Sequence, residues 1–240
     1  MEPAGRIALV TGGARRVGRA FSLALAEAGC DVVVNYNGSA DEAAVTAADI
    51  ERLGRRALPV HADISRPDDI ARLVRETEQA FGRLDIVVNN ASLFERAPVP
   101  DITVEDWDRV LNVNLRGPFF LAQAAAPLLR RDGGGLIGNI VDLSALQPWP
   151  SFAHHAVSKA GLLHLTRVLA RALAPDIRVN AIAPGTVLPP EDTGGEDGSE
   201  RRVLARSGEP ADVTSALLYL VRSDFVTGEN LVVDGGRMLL

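Results

Sequence analysis

Acid–base side chains of three kinds occur between residues 142 and 159: a carboxyl, an imidazole and an ammonium. Lys159 is the one lysine among 25 lysine and arginine residues. Its ammonium is a compact donor whose pKa burial can tune, unlike a guanidinium. His155 lies one helical turn earlier, so the two share a helix face, and Asp142 ends the apolar run Leu136–Val141. We expect a proton-delivering site; the alternative is a lysine kept by drift beside a solvated histidine.

The elements that must position these side chains are apolar runs alternating with amphipathic stretches. The predicted strands are Ile7–Val10, Val32–Asn35, Ala57–Val60, Ile86–Val88, Leu136–Val141, Ile177–Ile182 and Leu231–Val233. The predicted helices are Val17–Ala28, Asp41–Leu53, Pro67–Phe81, Val104–Leu115, Phe119–Arg130, His154–Leu173 and Ala211–Val221, with Gly117-Pro118 separating the fourth from the fifth. This alternation predicts one α/β domain over residues 1–240, a parallel, doubly wound sheet with helices on both faces.

The composition excludes several classes of protein. Hydrophobic residues are 47% and charged residues 23%, which is ordinary for a globular chain. The net charge of −6 disfavours a nucleic-acid or anionic-membrane partner. Cys30 is alone, so no disulfide can form within the chain and a reducing compartment is expected. Because no signal peptide fits before the first strand and no run of 18 apolar residues exists, we expect a cytoplasmic protein without a membrane span.

A glycine-rich turn, Thr11-Gly12-Gly13-Ala14-Arg15-Arg16-Val17-Gly18, joins the first strand to the first helix. Glycines in this position let backbone N–H groups approach a pyrophosphate, which then sits at the positive end of the helix. Gly12, Val17 and Gly18 are therefore candidates for cofactor binding in a Rossmann-type fold. The alternative is a tight turn without a ligand.

The end of the second strand selects between the nicotinamide cofactors. An NAD-preferring enzyme places an acid there to bind the ribose hydroxyls, but residues 35–39 read Asn-Tyr-Asn-Gly-Ser. Asn37 and Ser39 join the cofactor-binding candidates, and the guanidiniums of Arg15 and Arg16 are placed to meet a 2′-phosphate. The sequence predicts NADP(H).

Several short motifs follow one another in a recognisable order. They are the glycine-rich turn, Asn89-Asn90-Ala91, Asn114, Ser158-Lys159, Arg178-Val179-Asn180, Pro184-Gly185 and Asp234-Gly235-Gly236. In order and spacing, over nearly the whole chain, they resemble the short-chain dehydrogenase/reductase family. The resemblance implies an oxidoreductase in which Asn90, Ala91, Pro184 and Gly185 hold the cofactor and Lys159 binds the nicotinamide ribose.

The same resemblance implies roles for two further residues and an oligomeric state. Asp63 is expected to contact adenine, although capping of the third helix is an equal alternative. Asn114 resembles a fourth catalytic residue that holds a water in the proton path. Members of the family are usually tetramers, and the predicted contact surfaces are Phe119–Leu129 and Leu231–Leu240.

Three departures from the broad family resemble pteridine reductases. Arg16 takes the place of the middle glycine of the turn, and Asp142 stands where most relatives have a catalytic serine. The third is Asn89-Asn90-Ala91-Ser92-x-Phe94. This resemblance implies that Ser92 touches the cofactor or a pterin and that Phe94 stacks on the pterin.

The family's Tyr-x-x-x-Lys signature reads His155-Ala156-Val157-Ser158-Lys159 here, so the usual phenol is missing. In one account His155 is the acid, since an imidazole suits proton transfer near pH 7; Lys159 disfavours its charged form and an ionised Asp142 favours it. In a second account Asp142 delivers the proton through water and His155 orients it, which suits the basic nitrogen of a C=N bond. In a third account the chain binds NADP(H) without turnover.

Other candidate residues carry weaker expectations. Trp149 either walls the substrate pocket or packs in the core. His154 is expected at the surface or in a lid. The segment 186–199, rich in proline, glycine and acids, is either a mobile lid or a solvated loop. His61 and His164 show no metal-ligand spacing, so no metal is predicted.

These expectations combine into an NADPH-dependent reductase of a small molecule, best a pteridine, with Asp142 and His155 supplying the proton. The alternatives are a 3-oxoacyl or other carbonyl reductase, or a catalytically silent NADP(H)-binding module. Acids between residues 191 and 200 disfavour substrates carried on acidic proteins. We predict a homo-oligomer, a tetramer by the family resemblance.

Overall fold

The computed structural model describes residues 1–131, 133–188 and 203–240. In this part of the chain seven parallel strands form one sheet in the order β3-β2-β1-β4-β5-β6-β7. The strands are β1 (Ile7–Val10), β2 (Asp31–Tyr36), β3 (Ala57–His61), β4 (Ile86–Asn89), β5 (Gly135–Ile140), β6 (Ile177–Pro184) and β7 (Asn230–Val233). The helices are α1 (Arg16–Glu27), α2 (Ala40–Arg52), α3 (Pro67–Phe81), α4 (Val104–Leu111), α5 (Gly117–Leu129), α6 (Ala153–Leu173) and α7 (Pro210–Arg222). The predicted α/β class, a Rossmann-type doubly wound parallel sheet, is confirmed.

Helices cover both faces of the sheet, and each central strand contributes to two cores. Leu9 packs in a core with residues of α3, α5 and α6, whereas its neighbour Val10 packs with residues of α1, α2 and α7. Successive side chains of a strand point to opposite faces, so a strand covered on both must be apolar throughout. All four residues of β1 are buried for this reason. Replacing Leu9 with alanine would cost about 2–5 kcal/mol of stability.

The strand order reverses between β1 and β4, and this reversal locates the site. The crossovers from β1 lead to β2 and β3 on one side, and the rest of the sheet grows from β4 on the other. The segments that leave β1 and β4 therefore diverge, and a crevice opens beyond the carboxyl ends of these strands. The glycine-rich turn and the segment after Asn89 both lie there.

A π-helical segment, Asn112–Arg116, joins α4 to α5 without a break. The predicted separation at Gly117-Pro118 is wrong. The N–H of Gly117 bonds to the carbonyl of Asn112 in the wide π turn. A Cβ at position 117 would lie 2.6 Å from the carbonyl oxygen of Ile64, so this glycine serves close packing rather than helix termination. π segments inside helices occur frequently at functional sites.

Two further expectations concern the segment 186–199 and membrane-spanning helices. Of the segment 186–199, predicted as a lid or a solvated loop, positions 189–199 lie outside the described residues. None of the helices in residues 1–131, 133–188 and 203–240 combines the length and the apolarity needed to cross a bilayer.

Candidate active site

A cleft of about 380 Å³ opens at the switch point between β1 and β4. It is lined by the glycine-rich turn, the end of β2, the segment after β3 and the segment after β4. The predicted cofactor residues that line it are Gly12, Arg15, Arg16, Val17, Gly18, Asn37, Ser39, Asp63, Asn90 and Ala91. The structure thus brings together residues that are up to about 80 positions apart in sequence.

The glycine-rich turn is held against the sheet by two asparagines. Asn35 is buried at the end of β2; its backbone carbonyl accepts from Gly13 N at 3.0 Å, and its side chain donates to Ala62 O at 3.0 Å. Asn90 donates from its side chain to Thr11 O at 2.9 Å. Asn90 is predicted from its motif, whereas Asn35 is not, because an amide that binds only backbone groups leaves no motif in the sequence.

Close approach explains the last glycine of the turn. A Cβ at Gly18 would lie 2.0 Å from the carbonyl oxygen of Gly12, so any side chain there would push the turn away from the helix. The first residues of α1 line the cleft, and a helix N-terminus at a cleft is the arrangement that binds a phosphate. The residues present therefore fit a dinucleotide.

The two arginines of the turn stand at the start of α1. Arg15 is the N-cap residue and Arg16 the first helical residue, and both side chains are exposed. Arg16 has φ +50°, in the left-handed region that favours glycine. Non-glycine residues held there cluster at functional sites, and arginine here places a cation where a glycine would place none.

The acid–base group forms where β5 and α6 meet. Asp142 comes two residues after the end of β5 and caps a single 3₁₀ turn, Leu143–Ala145, by accepting the N–H of Ser144 at 2.8 Å. It also accepts the Ser144 hydroxyl. Its other oxygen, Oδ2, lies 2.7 Å from Nε2 of His155 in the first turn of α6. The side chain of His155 is 1% exposed and that of Asp142 is 21% exposed.

Both ring nitrogens of His155 face oxygen acceptors. Nδ1 lies 2.9 Å from the carbonyl oxygen of Leu93, which can only accept, so Nδ1 carries a hydrogen. Nε2 faces the carboxylate of Asp142. A flipped ring would place carbon against both oxygens, so the observed orientation is the one the surroundings select. The pair therefore shares a further, transferable proton between Nε2 and Oδ2.

Electrostatics favours the ionised form of Asp142. Burial opposes ionisation, but the hydrogen bond from His155 and the positive charge of Lys159 outweigh it and lower the pKa of Asp142 from 3.8 to about 2. Lys159 is buried, and its Nζ donates to the carbonyl of Ile140 at 2.8 Å. Burial lowers the pKa of Lys159, while Asp142 acts in the opposite direction.

Asn114 lies in the π segment and fixes the backbone of Leu93. Its Oδ1 accepts the Leu93 N–H at 2.8 Å, and its Nδ2 donates to the Leu93 carbonyl and to the Ser158 hydroxyl, each at 3.0 Å. The carbonyl that receives Nδ1 of His155 is therefore held by Asn114. A water-binding role for Asn114 stays a prediction; the structure gives its amide to protein partners. Leu93 was missed, since a backbone carbonyl has no sequence signal.

Aromatic rings border the acid–base group. Phe94 is 56% exposed, and its ring stacks on Phe152 at 4.4 Å between centroids and meets His155 edge-on at 4.8 Å. Trp149 lies in edge contact with both phenyl rings, at 6.3 Å and 6.2 Å. It is half-buried in this cluster, beside Phe94. Phe152 was missed by the sequence analysis, because a phenylalanine before a helix is usually core.

Other predicted residues take different places. Ser92 lines the cleft. Pro184 ends β6 and Gly185 follows it, and neither lines the cleft. The N–H of Gly185 donates to Val233 O at 2.9 Å. Asp63 accepts the N–H of Ser65 at 2.9 Å, whereas the N-cap of α3 is Arg66, so the capping alternative for Asp63 is wrong.

His154 corrects a further expectation. It was predicted at the surface or in a lid, but it is 1% exposed. Its Nδ1 has no hydrogen-bond partner among the described residues. Helix α6 is covered on more than one side, which a periodicity argument for a single apolar face does not foresee. Nowhere in the described ranges do three or more histidine, cysteine or acidic side chains gather as a metal site would require.

Comparison with known proteins identifies the family. A family model described as enoyl-(acyl carrier protein) reductase matches residues 12–237. A 3-oxoacyl-[acyl-carrier-protein] reductase of Synechocystis sp. is 33% identical over 240 residues, which cover 98% of this chain and 97% of the relative. The chain belongs to the short-chain dehydrogenase/reductase family and is an NAD(P)-dependent oxidoreductase.

Two solved structures are similar along their full length. A short chain dehydrogenase from Burkholderia cenocepacia in complex with NADP has a TM-score of 0.93 at 36% identity, covering 99% of this chain and 100% of the other. FolM alternative dihydrofolate reductase 1 from Brucella canis, complexed with NADP, has a TM-score of 0.92 at 38% identity, covering 100% and 97%.

Proposed function

We propose that this protein is an NADP(H)-dependent reductase of a pteridine, in which Asp142 gives the proton to the nitrogen of a C=N bond and His155 replaces it. The cofactor is NADP(H). The exposed Arg15 and Arg16 at the start of α1 support this choice, and the neutral residues Asn37 and Ser39 offer no carboxylate to ribose hydroxyls. The solved structures from Burkholderia cenocepacia and Brucella canis named above are both complexes with NADP.

The hydrogen bonding of His155 carries the proposal for the proton. The imidazole is 1% exposed, and its two nitrogens are engaged by Leu93 and Asp142, so it has no free N–H to offer a substrate. Asp142 is the more exposed partner. Because Asp142 is ionised at rest, we assign it a relay role: its carboxylate takes the proton from Nε2 across 2.7 Å and passes it to the substrate. His155 keeps its Nδ1 hydrogen on Leu93 and becomes neutral.

The transfer balances with hydride delivery. When bound, NADPH would supply the hydride that reduces the carbon of the C=N bond. Asp142 donates the proton that completes the N–H bond, and solvent reprotonates the pair. A C=N nitrogen is more basic than a carbonyl oxygen, so a proton relayed from His155 through Asp142 is sufficient for it. Lys159 supports the ionised state of Asp142 between turnovers.

The aromatic cluster supports a flat heterocyclic substrate. Phe94 offers an exposed ring face next to the acid–base pair, with Phe152 behind it and Trp149 at its edge. Offset stacking on such a surface favours planar rings. Similarity to a dihydrofolate reductase from Brucella canis points the same way.

Reduction of 3-oxoacyl thioesters is the second candidate. It is favoured by the Synechocystis relative, whose name states this activity. Protonation of a carbonyl oxygen needs a stronger acid than protonation of a C=N nitrogen. The site has a buried imidazole rather than a phenol at position 155. The two candidates thus differ in what the pair must protonate.

Steady-state NADPH oxidation with dihydrobiopterin and with acetoacetyl-CoA separates the candidates. We expect turnover with the pteridine, and a loss of roughly 100-fold or more in kcat for Asp142→Asn and His155→Ala, in line with the worth of a general acid. His164→Ala removes an exposed histidine of the same helix and is the matched control. Turnover restricted to acetoacetyl-CoA would establish the second candidate, and NADPH binding without either reaction would establish a silent module.

A further inference from the structure

A guanidinium from the C-terminal segment reaches the aromatic side of the site. Arg237 begins the 3₁₀ turn Arg237–Leu239 that follows β7. Its Cζ lies 5.9 Å from the centroid of the Trp149 ring, and its Nη1 donates to the Thr186 hydroxyl at 3.3 Å. Thr186 comes two residues after the end of β6. Arg237 therefore lies between the carboxyl end of β6 and the aromatic cluster.

The turn that carries Arg237 is fixed by Asp234. Its two carboxylate oxygens accept the N–H groups of Gly236 and Met238, each at 2.8 Å. These contacts lie on either side of Arg237, so the backbone of the turn sets the position of the guanidinium. Asp234, the nearest acid in sequence, therefore binds main-chain N–H groups and forms no ion pair with the Arg237 guanidinium.

The charge of Arg237 is otherwise unmatched in the described chain. Within residues 1–131, 133–188 and 203–240, the guanidinium contacts the Thr186 hydroxyl and the Trp149 ring. Neither group carries a negative charge. Other arginines differ: Arg109, for example, pairs with Glu95. A guanidinium that lies over an aromatic face keeps N–H groups on its edge, which match the two oxygens of a carboxylate.

We propose that Arg237 binds a carboxylate on the side chain of the substrate while the ring system of that substrate occupies the cluster around Phe94. The inference rests on the proposed function, since it takes the flat head group from there. It adds a specificity-determining residue: the enzyme prefers a pteridine whose tail ends in a carboxylate over one with a neutral tail. Trp149 positions the guanidinium and separates the head-group side from the tail side.

Calorimetric titration of the NADP⁺ complex tests this with two probes, folate, which has a glutamate tail, and biopterin, whose tail is neutral. We expect the wild type to prefer folate by roughly tenfold or more, the worth of one charge-assisted bidentate pair. Arg237→Gln should bring the ratio of the two affinities close to one. Arg237→Lys should restore part of it, because an ammonium keeps the charge but not the fork. Added salt should weaken folate binding to the wild type more than to Arg237→Gln.

The control removes the same charge elsewhere. Arg167 is exposed on α6, about 18 Å along the helix from His155, and Arg167→Gln should keep the wild-type ratio. Equal weakening of both probes by Arg237→Gln, or no folate preference in the wild type, overturns the inference. Selective folate binding without NADPH oxidation supports the role of Arg237 and refutes pteridine reduction. Reduction of both pteridines without a preference for folate supports pteridine reduction and refutes the role of Arg237.

Discussion

At the scale of single residues, Asp142 couples the site to the stability of the fold. Its pKa in the folded protein is lowered from 3.8 to about 2, so the unfolded chain binds this proton first as the pH falls. The group therefore contributes stability above its unfolded pKa and loses it as the pH drops through the folded pKa, between about 4 and 2. The difference corresponds to about 2 kcal/mol.

We accordingly predict that wild type and Asp142→Asn differ most above pH 4. The difference in their free energies of unfolding, measured by urea denaturation, should shrink by about 2 kcal/mol between pH 5 and pH 2. Other carboxylates titrate in both proteins and cancel in the comparison. A difference that stays constant over this range would show that His155 and Lys159 do not hold Asp142 in its ionised form.

Residue types and spacing lead to the acid–base group but not to its supports. Asp142, His155 and Lys159 were found because a lone lysine, a histidine one turn away and an acid after an apolar run form a pattern. The carbonyl of Leu93 could not be found, since every residue has a carbonyl and only the fold selects one. His154 was misplaced for a similar reason: burial of adjacent helix positions depends on how many neighbours the helix has.

At the scale of elements, the π segment Asn112–Arg116 is the feature on which the site depends. It keeps α4 and α5 continuous and places Asn114 against the segment after β4. Glycine followed by proline usually ends a helix, so Gly117-Pro118 predicted a break between the two helices. Pro118 is the second residue of α5, two positions after the π segment, where the regular backbone ladder is already interrupted, so its missing N–H is tolerated.

Substituting Asn114 should therefore damage both the fold and the reaction. Asn114→Ala leaves the N–H of Leu93 without its partner in a buried region, which costs about 1–3 kcal/mol. It also releases the carbonyl that orients His155, so we expect kcat to fall by roughly tenfold or more while the Kd of NADPH changes little. Denaturant unfolding measures the loss of stability, steady-state NADPH oxidation measures kcat, and stopped-flow binding measures the Kd of NADPH.

A nearby variant separates positioning from simple loss of stability. Asn112→Ala alters the exposed end of the same π segment, where the Asn112 side chain accepts from Arg116 at 3.3 Å. It should leave kcat unchanged. Equal losses of kcat in both variants would mean that Asn114 matters only as part of the helix.

The strands were the most predictable elements, for a physical reason. A parallel strand covered on both faces must be apolar in successive positions, as Val87 and Val88 are in opposite cores. Such runs are visible in the sequence. The structure keeps the predicted bounds of β1, moves β5 by one residue towards the N-terminus, and lengthens the other strands by one or two residues. Helices beside the site were less predictable, because tertiary contacts such as that of Gly117 with Ile64 determine where they end.

At the scale of the whole molecule, the sheet order brings the glycine-rich turn, the end of β2 and the segment after β4 to one crevice. The alternation of strands and helices predicted the doubly wound parallel sheet, and the structure adds the strand order. The sequence predicted association less directly. The apolar side chains Leu121 and Leu129 of α5 are buried within the protomer, while Leu239 and Leu240 are exposed. A tetramer stays a prediction, with light scattering as its measurement.

The choice between NADPH and NADH can be measured through the thermal stability of the whole fold. A ligand that binds only the folded state at 100 times its Kd adds about 2.7 kcal/mol, which for a chain of 240 residues raises Tm by roughly 5–10 °C. We expect NADPH to produce this shift at a concentration where NADH produces little. Replacing Arg15 and Arg16 together with glutamine should abolish the difference, because both guanidiniums stand at the start of α1 beside the cleft. The matched control replaces the exposed Arg167 and Arg171 of α6 with glutamine, which removes the same charge and should keep the NADPH preference. Equal shifts by NADPH and NADH in the wild type would contradict the assignment of the 2′-phosphate to these two arginines.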